Sequence, residues 1–170
     1  MAIGLQSILD LLDERVQSAV VESHDPLGMP TLVIDAERIV DVCRYLRDTP
    51  ALGFDFLCDL CGVDFHPQTP RFEVVYHLYS IAHKHRLRLK CKLVEGTKIP
   101  SVTQVWNTAN WHERETYDMY GIVFADHPDL RRIYMWEEFE GWPMRKDFPL
   151  RGYKDQYNPF GEEGSPPEST

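Results

Sequence analysis

The chain has 170 residues, 43% of them apolar and 26% charged, with a formal net charge of −9. That balance can bury a core without a disulfide or metal staple, and the acidic excess speaks against a nucleic-acid-binding surface, which needs clustered cations. No basic n-region precedes an apolar run and no stretch reaches the roughly 18 uninterrupted apolar residues of a membrane span, so we expect a protein that is soluble or held to a membrane only through partners, with its cysteines reduced.

Residues 4–20 place Ile8, Leu9, Leu12, Val16 and Ala19 at helical spacing, which predicts an amphipathic helix ended by the HDPLGMP stretch. TLVID reads as a short strand, and Asp35 is positioned to cap a helix over 36–47 whose face carries Ile39, Val42, Cys43 and Leu46. Strands follow. FDFLCDLCGV is short and mostly apolar, and RFEVVYHLYSIA is rich in β-branched and aromatic residues. HRLRLKCKL alternates strictly, with Arg86, Arg88, Lys90 and Lys92 on one face and Leu87, Leu89, Cys91 and Leu93 on the other. Period two means a strand with one wet and one buried face, joined to the preceding strand as a hairpin. Two helices are expected next: SVTQVW, with Ser101 and Gln104 at capping-box spacing, and NWHERETYDMY, with Asn110 and Glu113 at the same spacing and Gly121 at its end.

From Ile122 the periodicity stops, while Trp, Tyr, Phe, Met and Arg become frequent. We read 1–121 as an α+β core domain, 122–150 as an extended segment of the same domain, and 151–170 as a flexible polar tail. The overall expectation is a two-layer α+β fold, a mixed sheet with helices packed on it. Tyr134, Met135, Trp136, Phe139, Trp142, Met144 and Phe148 must be covered by something. Either the segment folds back on its own sheet, or it lies across a partner, since aromatic residues, Met and Arg are enriched at interface cores.

Individual motifs carry little chemistry. Cys58 and Cys61 have C-x-x-C spacing, but in a strand an odd separation sends the side chains to opposite faces, and no second pair exists. His83 and His85 are the nearest complement for a metal; we read the thiols as packing residues. His112 and Glu113 start an H-E-x-x-H pattern that fails at Thr116. Glu113 and Glu115, two apart, do not face each other, whereas Arg114 and Asp118 at i and i+4 can pair. The row Arg86, Arg88, Lys90 and Lys92 either keeps the sheet soluble or docks an acidic surface. Neither a phosphate loop nor a nucleophile elbow is present.

Residues 110–134, NWHERETYDMYGIVFADHPDLRRIY, followed by FEGWPMRKDFPL at 139–150, resemble the signature of the C subunit of the proton-pumping NADH:quinone oxidoreductase, respiratory complex I. The looser D-L-x-x-V-D element at 59–64 extends the resemblance over most of 30–150; Trp142 stands where the family usually has histidine. The resemblance implies a peripheral subunit on the cytoplasmic side of the cell membrane, packed against the subunits of the quinone site and the terminal iron–sulfur cluster. It implies no catalytic, cofactor-binding or metal residue in this chain, with iron–sulfur clusters, flavin and quinone in the partner subunits. Membrane contact would come only through those subunits, and no nucleic acid is expected. The same signature occurs in energy-converting hydrogenases and ferredoxin-dependent complexes. A different class of reading, an independent metal protein, would rest on Cys58, Cys61, His83 and His85. The residues expected to form the partner interface are Glu113, Arg114, Glu115, Asp118, His127, Asp129, Arg131, Arg132, Trp136, Trp142, Arg145, Lys146 and Asp147. Among them Arg131, Arg132, Arg145 and Lys146 are expected to pair with carboxylates on neighbours.

Overall fold

The alternation in residues 85–93 sets the plan of the molecule. In the computed structural model, which describes residues 4–12, 14–155 and 157–164, these residues form β5 (His85–Leu93). It sits at the centre of a five-stranded sheet flanked by β1 (Val20–His24), β2 (Thr31–Ile34), β3 (Phe56–Asp64) and β4 (Phe72–Ser80), in the order β1-β2-β5-β4-β3. β2 and β5 run parallel and the other neighbours antiparallel, so the sheet is mixed. Helices α1 (Leu5–Leu11), α3 (Ile39–Asp48) and α4 (Ala109–Tyr120) pack on it, giving the α+β architecture.

The core lies on one side of the sheet only. Leu87, Leu89 and Cys91 of β5, Val74, Tyr76 and Leu78 of β4, and Leu32 and Ile34 of β2 join Ile8 of α1 and Ile39, Val42, Cys43 and Leu46 of α3 in one apolar cluster. The expected α3 face is present, and Asp35 caps a 3-10 turn at Ala36–Arg38 that leads into α3, its carboxylate accepting from the Glu37 N–H at 3.1 Å.

Two expectations for the helices fail. The N-terminal helix does not run through residue 20: α1 ends at Leu11, α2 spans Glu14–Gln17, and Val20–His24 is the edge strand β1. The β-branched Val20 pairs with Ile34 of β2 instead of entering a helix, and Val21 is a bulge between it and Glu22; residue 13 lies outside the described residues. SVTQVW is a run of turns, because the Ser101 hydroxyl is used by Thr103 and Glu113 rather than by a following helix turn. Before it, β6 (Lys98–Pro100) pairs in parallel with β7 (Val123–Ala125), a two-stranded sheet that the irregular sequence did not suggest.

The parity argument for the cysteines also needs correction. A bulge between Leu57 and Asp59 inserts an extra residue into β3 and shifts its phase. Cys58 and Cys61 are both half-buried, and the cations of β5, Arg86 for Cys58 and Arg88 for Cys61, act on both thiols. His83 and His85 stack at 5.3 Å and donate from Nε2 to the Pro50 and Leu52 carbonyls. Among the described residues no group of three or more His, Cys, Asp or Glu is placed to hold a metal.

Candidate partner-binding site

The site is built on α4. Its sheet side carries Ala109, Glu113, Thr116 and Tyr120, residues at three- and four-residue spacing. Gly62 of β3 lets the helix approach closely; a Cβ there would stand 2.8 Å from the Tyr120 ring and 3.1 Å from the Thr116 methyl. Gly121 ends the helix in the left-handed conformation, φ +75°, as its position suggested.

The expected Asn110 capping box does not form. The helix starts one residue earlier, and the Glu113 carboxylate reaches across to the loop after β6, accepting the Val102 N–H at 2.8 Å and the Ser101 hydroxyl at 2.7 Å. Glu113 is completely buried, and burial, only partly offset by these two donors, pushes its pKa up to about 7. The imidazole of His127 lies 4.0 Å away. Its Nδ1 accepts the Asp129 N–H, so its Nε2 carries the proton and donates to the Asn110 carbonyl. Burial holds His127 below the usual histidine range.

The far side of α4 receives the chain's next segment. The second helix carboxylate, Asp118, is fully buried and accepts the N–H groups of Ile133, Tyr134 and Met135 on one oxygen and Arg132 Nη1 on the other, at 2.9 Å for the arginine. Burial opposes its ionisation, but the three amides and the guanidinium outweigh that and hold its pKa below the ordinary value. Arg132 also donates to the carbonyls of Asp118, Phe139 and Gly141 and lies 4.4 Å over the Trp142 ring. The expected i, i+4 pair of Arg114 with Asp118 is absent; Arg114 donates to the Arg131 carbonyl and covers Trp111.

A second clamp holds the segment's other end. Asp64 closes β3 with a buried carboxylate paired twice with Arg71, at 3.0 Å each, and accepts the Lys146 N–H at 2.8 Å and the His66 N–H at 2.9 Å. Burial opposes ionisation, yet these donors hold Asp64 down to about 2. Arg71 continues to Asp147 at 2.7 Å and Glu95 at 2.9 Å, and Arg145 pairs with Glu95 at 2.8 Å and donates to the Tyr120 carbonyl. Asp64, Arg71 and Glu95 had no place among the expected site residues. Val-Asp at 63–64 reads as part of a core element, and nothing local in the sequence signals that its carboxylate meets residues some eighty positions later.

The expected site residues therefore come together as one strap over α4, but many face inward. Glu113, Asp118, Arg132, Arg145 and Asp147 bind this chain's own groups. Within the chain, Arg132 pairs with the buried Asp118 of α4, and Arg145 pairs with the partly exposed Glu95 in the loop after β5. Arg131 pairs with Asp129 at the surface, 3.0 Å apart, and Glu115 and Lys146 are exposed. Trp142 packs against Gly121 between Arg132 and Arg145. Trp136 makes edge contacts with Phe139 and Tyr157. With the charges turned in, the strap leaves Tyr134, Trp136, Met144 and Leu150 outward, Tyr134 at 61% and Met144 at 54% exposure. Residues 151–164, apart from 156, loop back through a bridge between Tyr153 and Glu162; the end of the expected flexible tail, 165–170, lies outside the described residues.

Residues 32–154, which hold the sheet from β2 onward, α4 and the whole strap, match the family described as respiratory-chain NADH dehydrogenase, 30 kDa subunit. The chain belongs to this family. It is 60% identical over 154 residues to the NADH-quinone oxidoreductase C-2 subunit of Rhizobium etli, covering 91% of this chain and 82% of the relative. The protein of the same name from Rhizobium meliloti is 65% identical over 140 residues, 82% of this chain and 77% of the relative. The NADH-quinone oxidoreductase C subunit of Roseiflexus castenholzii is 49% identical over 151 residues, covering 88% and 87%. Members of this family are subunits of an oxidoreductase complex, and other subunits are the natural partners of such a chain. No helix among the described residues is long and apolar enough to cross a membrane.

Proposed function

We propose that this chain is a cofactor-free scaffold of the quinone-reducing peripheral arm of a proton-translocating NADH:quinone oxidoreductase, on the cytoplasmic side of the membrane. It packs against the subunits that hold the terminal iron–sulfur cluster and the quinone site, and has no active site of its own. Its work is to keep those subunits in register so that the cluster-to-quinone distance stays short. The observation that carries this reading is the family match together with the strap's orientation. Buried carboxylates at each end fix a rigid backbone whose tyrosine, tryptophan and methionine side chains point outward. Such preorganised aromatic anchors suit a permanent interface, since little side-chain entropy remains to be lost on association.

The test is purification of the tagged chain from its own membranes in mild detergent. Subunits of the oxidoreductase should accompany it, and the separated chain should be colourless and free of flavin, iron and quinone reductase activity. A chain that purifies alone, or that carries a stoichiometric redox group, would overturn the proposal.

A further inference from the structure

The strap uses one side of the molecule. The opposite face of the five-stranded sheet contributes nothing to the core: Val33 and Val75 are buried, yet both lie outside the apolar cluster. They sit beside Lys90 in the register and so share its face with the β5 cations. On this face Lys90 pairs with Glu73 at 2.8 Å and Lys92 with Glu22 at 3.0 Å. Those two cations are accounted for within the chain, and a solubilising role suffices for them.

Arg86 and Arg88 differ. Among the described residues neither has a carboxylate within ion-pair distance. Arg88 has a buried Nε with no hydrogen-bond acceptor. A buried guanidinium N–H left without an acceptor is costly, more so because the group is charged, so a chain carrying −9 overall leaves an unusual local deficit of acceptors here. Arg86 lies 5.1 Å over the Tyr79 ring, and Tyr79 stands opposite Phe56, which is 44% exposed. The pKa of His77, opposite Arg88, is lowered by burial and by the charges of Arg88, Arg86 and Lys90, against the opposing charge of Asp59. Phe56, Tyr79, Arg86 and Arg88 thus form a contiguous aromatic and guanidinium patch across three adjacent strands.

We infer that this patch is a second docking surface, which takes an acidic segment of a neighbouring polypeptide, a carboxylate seated on Arg88 and Arg86 beside an apolar residue on Phe56 and Tyr79. The inference rests on the proposed scaffold role and deepens it: the chain grips partners at two surfaces, by apolar contact at the strap and by charge at the sheet. A protein carboxylate is favoured over nucleic acid because Glu22, Glu73 and Asp59 share this face and would repel a continuous phosphate backbone.

Two variants test it in the assembled complex. Arg86→Glu with Arg88→Glu should lower the yield of partner subunits co-purified in mild detergent at least about tenfold, the effect of losing 1.4 kcal/mol, while the melting temperature of the recovered full-length chain stays unchanged. Arg88→Lys places a primary amine in the patch. After carbodiimide treatment of the intact complex, mass spectrometry should find that amine joined to an Asp or Glu of another subunit. Undiminished recovery of the double variant, or cross-links confined to Glu73 and Glu22 of the same chain, overturns the inference while leaving the scaffold role standing. A wild-type chain that brings down no subunits removes the scaffold role, and the patch with it. Binding of a fluorescent 20-nucleotide single strand that the double variant abolishes would assign the patch to phosphate and overturn it as well.

Discussion

Asp118 and Arg132 stand 2.9 Å apart, with the carboxylate fully buried and three successive strap amides donating to its second oxygen. An aspartate in the last turn of α4 thus serves as the anchor for a segment with no regular structure of its own. Asp118→Asn removes the charge while keeping the shape. One side of the carboxamide becomes a donor facing either the amides or Arg132, and a buried pair broken on one side costs about 3 kcal/mol or more. We expect a loss of that order in urea unfolding of the full-length chain, together with faster hydrogen exchange at 133–135. Unchanged exchange at those amides would show that Asp118 does not hold the strap.

Arg132→Ala follows from the same relationship. With its acceptors on Asp118, Phe139 and Gly141 all inside the chain, the substitution is expected to reduce folding stability at least as strongly as it reduces assembly. Calorimetry of the isolated variant and the yield of co-purified subunits separate the two. A variant that melts normally but fails to assemble would return Arg132 to the partner surface.

How much of this was legible depends on the range of the interactions. β5, the hairpin, α3 with the Asp35-capped 3-10 turn that leads into it, and the Gly121 stop all follow from contacts within a few residues, and the sequence pattern shows them directly. β1 was hidden because the helical pattern before it runs into its five residues, and β7 because three residues carry too little periodicity and their partner β6 lies more than twenty positions earlier. The 122–150 segment stands out as unusual by its composition alone. Its inward charges were not legible, because the groups that meet them, Arg71, Glu95 and Asp118, sit outside the segment, and packing decides their direction. Spacing along α4 suggested Arg114 for Asp118; tertiary packing supplied Arg132 instead.

The Asp64 cluster predicts an acid transition. Its folded pKa is held down to about 2, below the ordinary aspartate value of about 3.9. A depressed carboxylate contributes stability that is complete above its unfolded pKa and lost as pH falls through the folded one. The loss should therefore run from about pH 4 to pH 2 and amount to about 2.6 kcal/mol from Asp64. Asp118 and Asp147, also lowered, add in the same direction. Asp64→Asn should be less stable at pH 7 and show a shallower decline between pH 4 and pH 2. Parallel curves for variant and wild type would remove Asp64 from the account.

Glu113 predicts the reverse slope in a higher window. Its folded pKa is pushed up to about 7 by burial, while the unfolded carboxyl ionises near pH 4.3. Between those values the folded chain binds more protons than the unfolded chain, so stability falls as pH rises and levels off above about 7. The order of magnitude is about 4 kcal/mol, at 1.36 kcal/mol per unit. Glu113→Gln can keep both contacts, its oxygen accepting the Val102 N–H and its amide donating to the Ser101 hydroxyl oxygen. That variant should be more stable than the wild type at pH 8, similar at pH 4.5, and nearly flat between. Glu113→Ala also abolishes the slope but orphans the Val102 N–H, and should be less stable than the glutamine variant at every pH. Urea titrations across pH 4–8 distinguish these outcomes, and a wild-type slope retained in the glutamine variant would place the titrating group elsewhere.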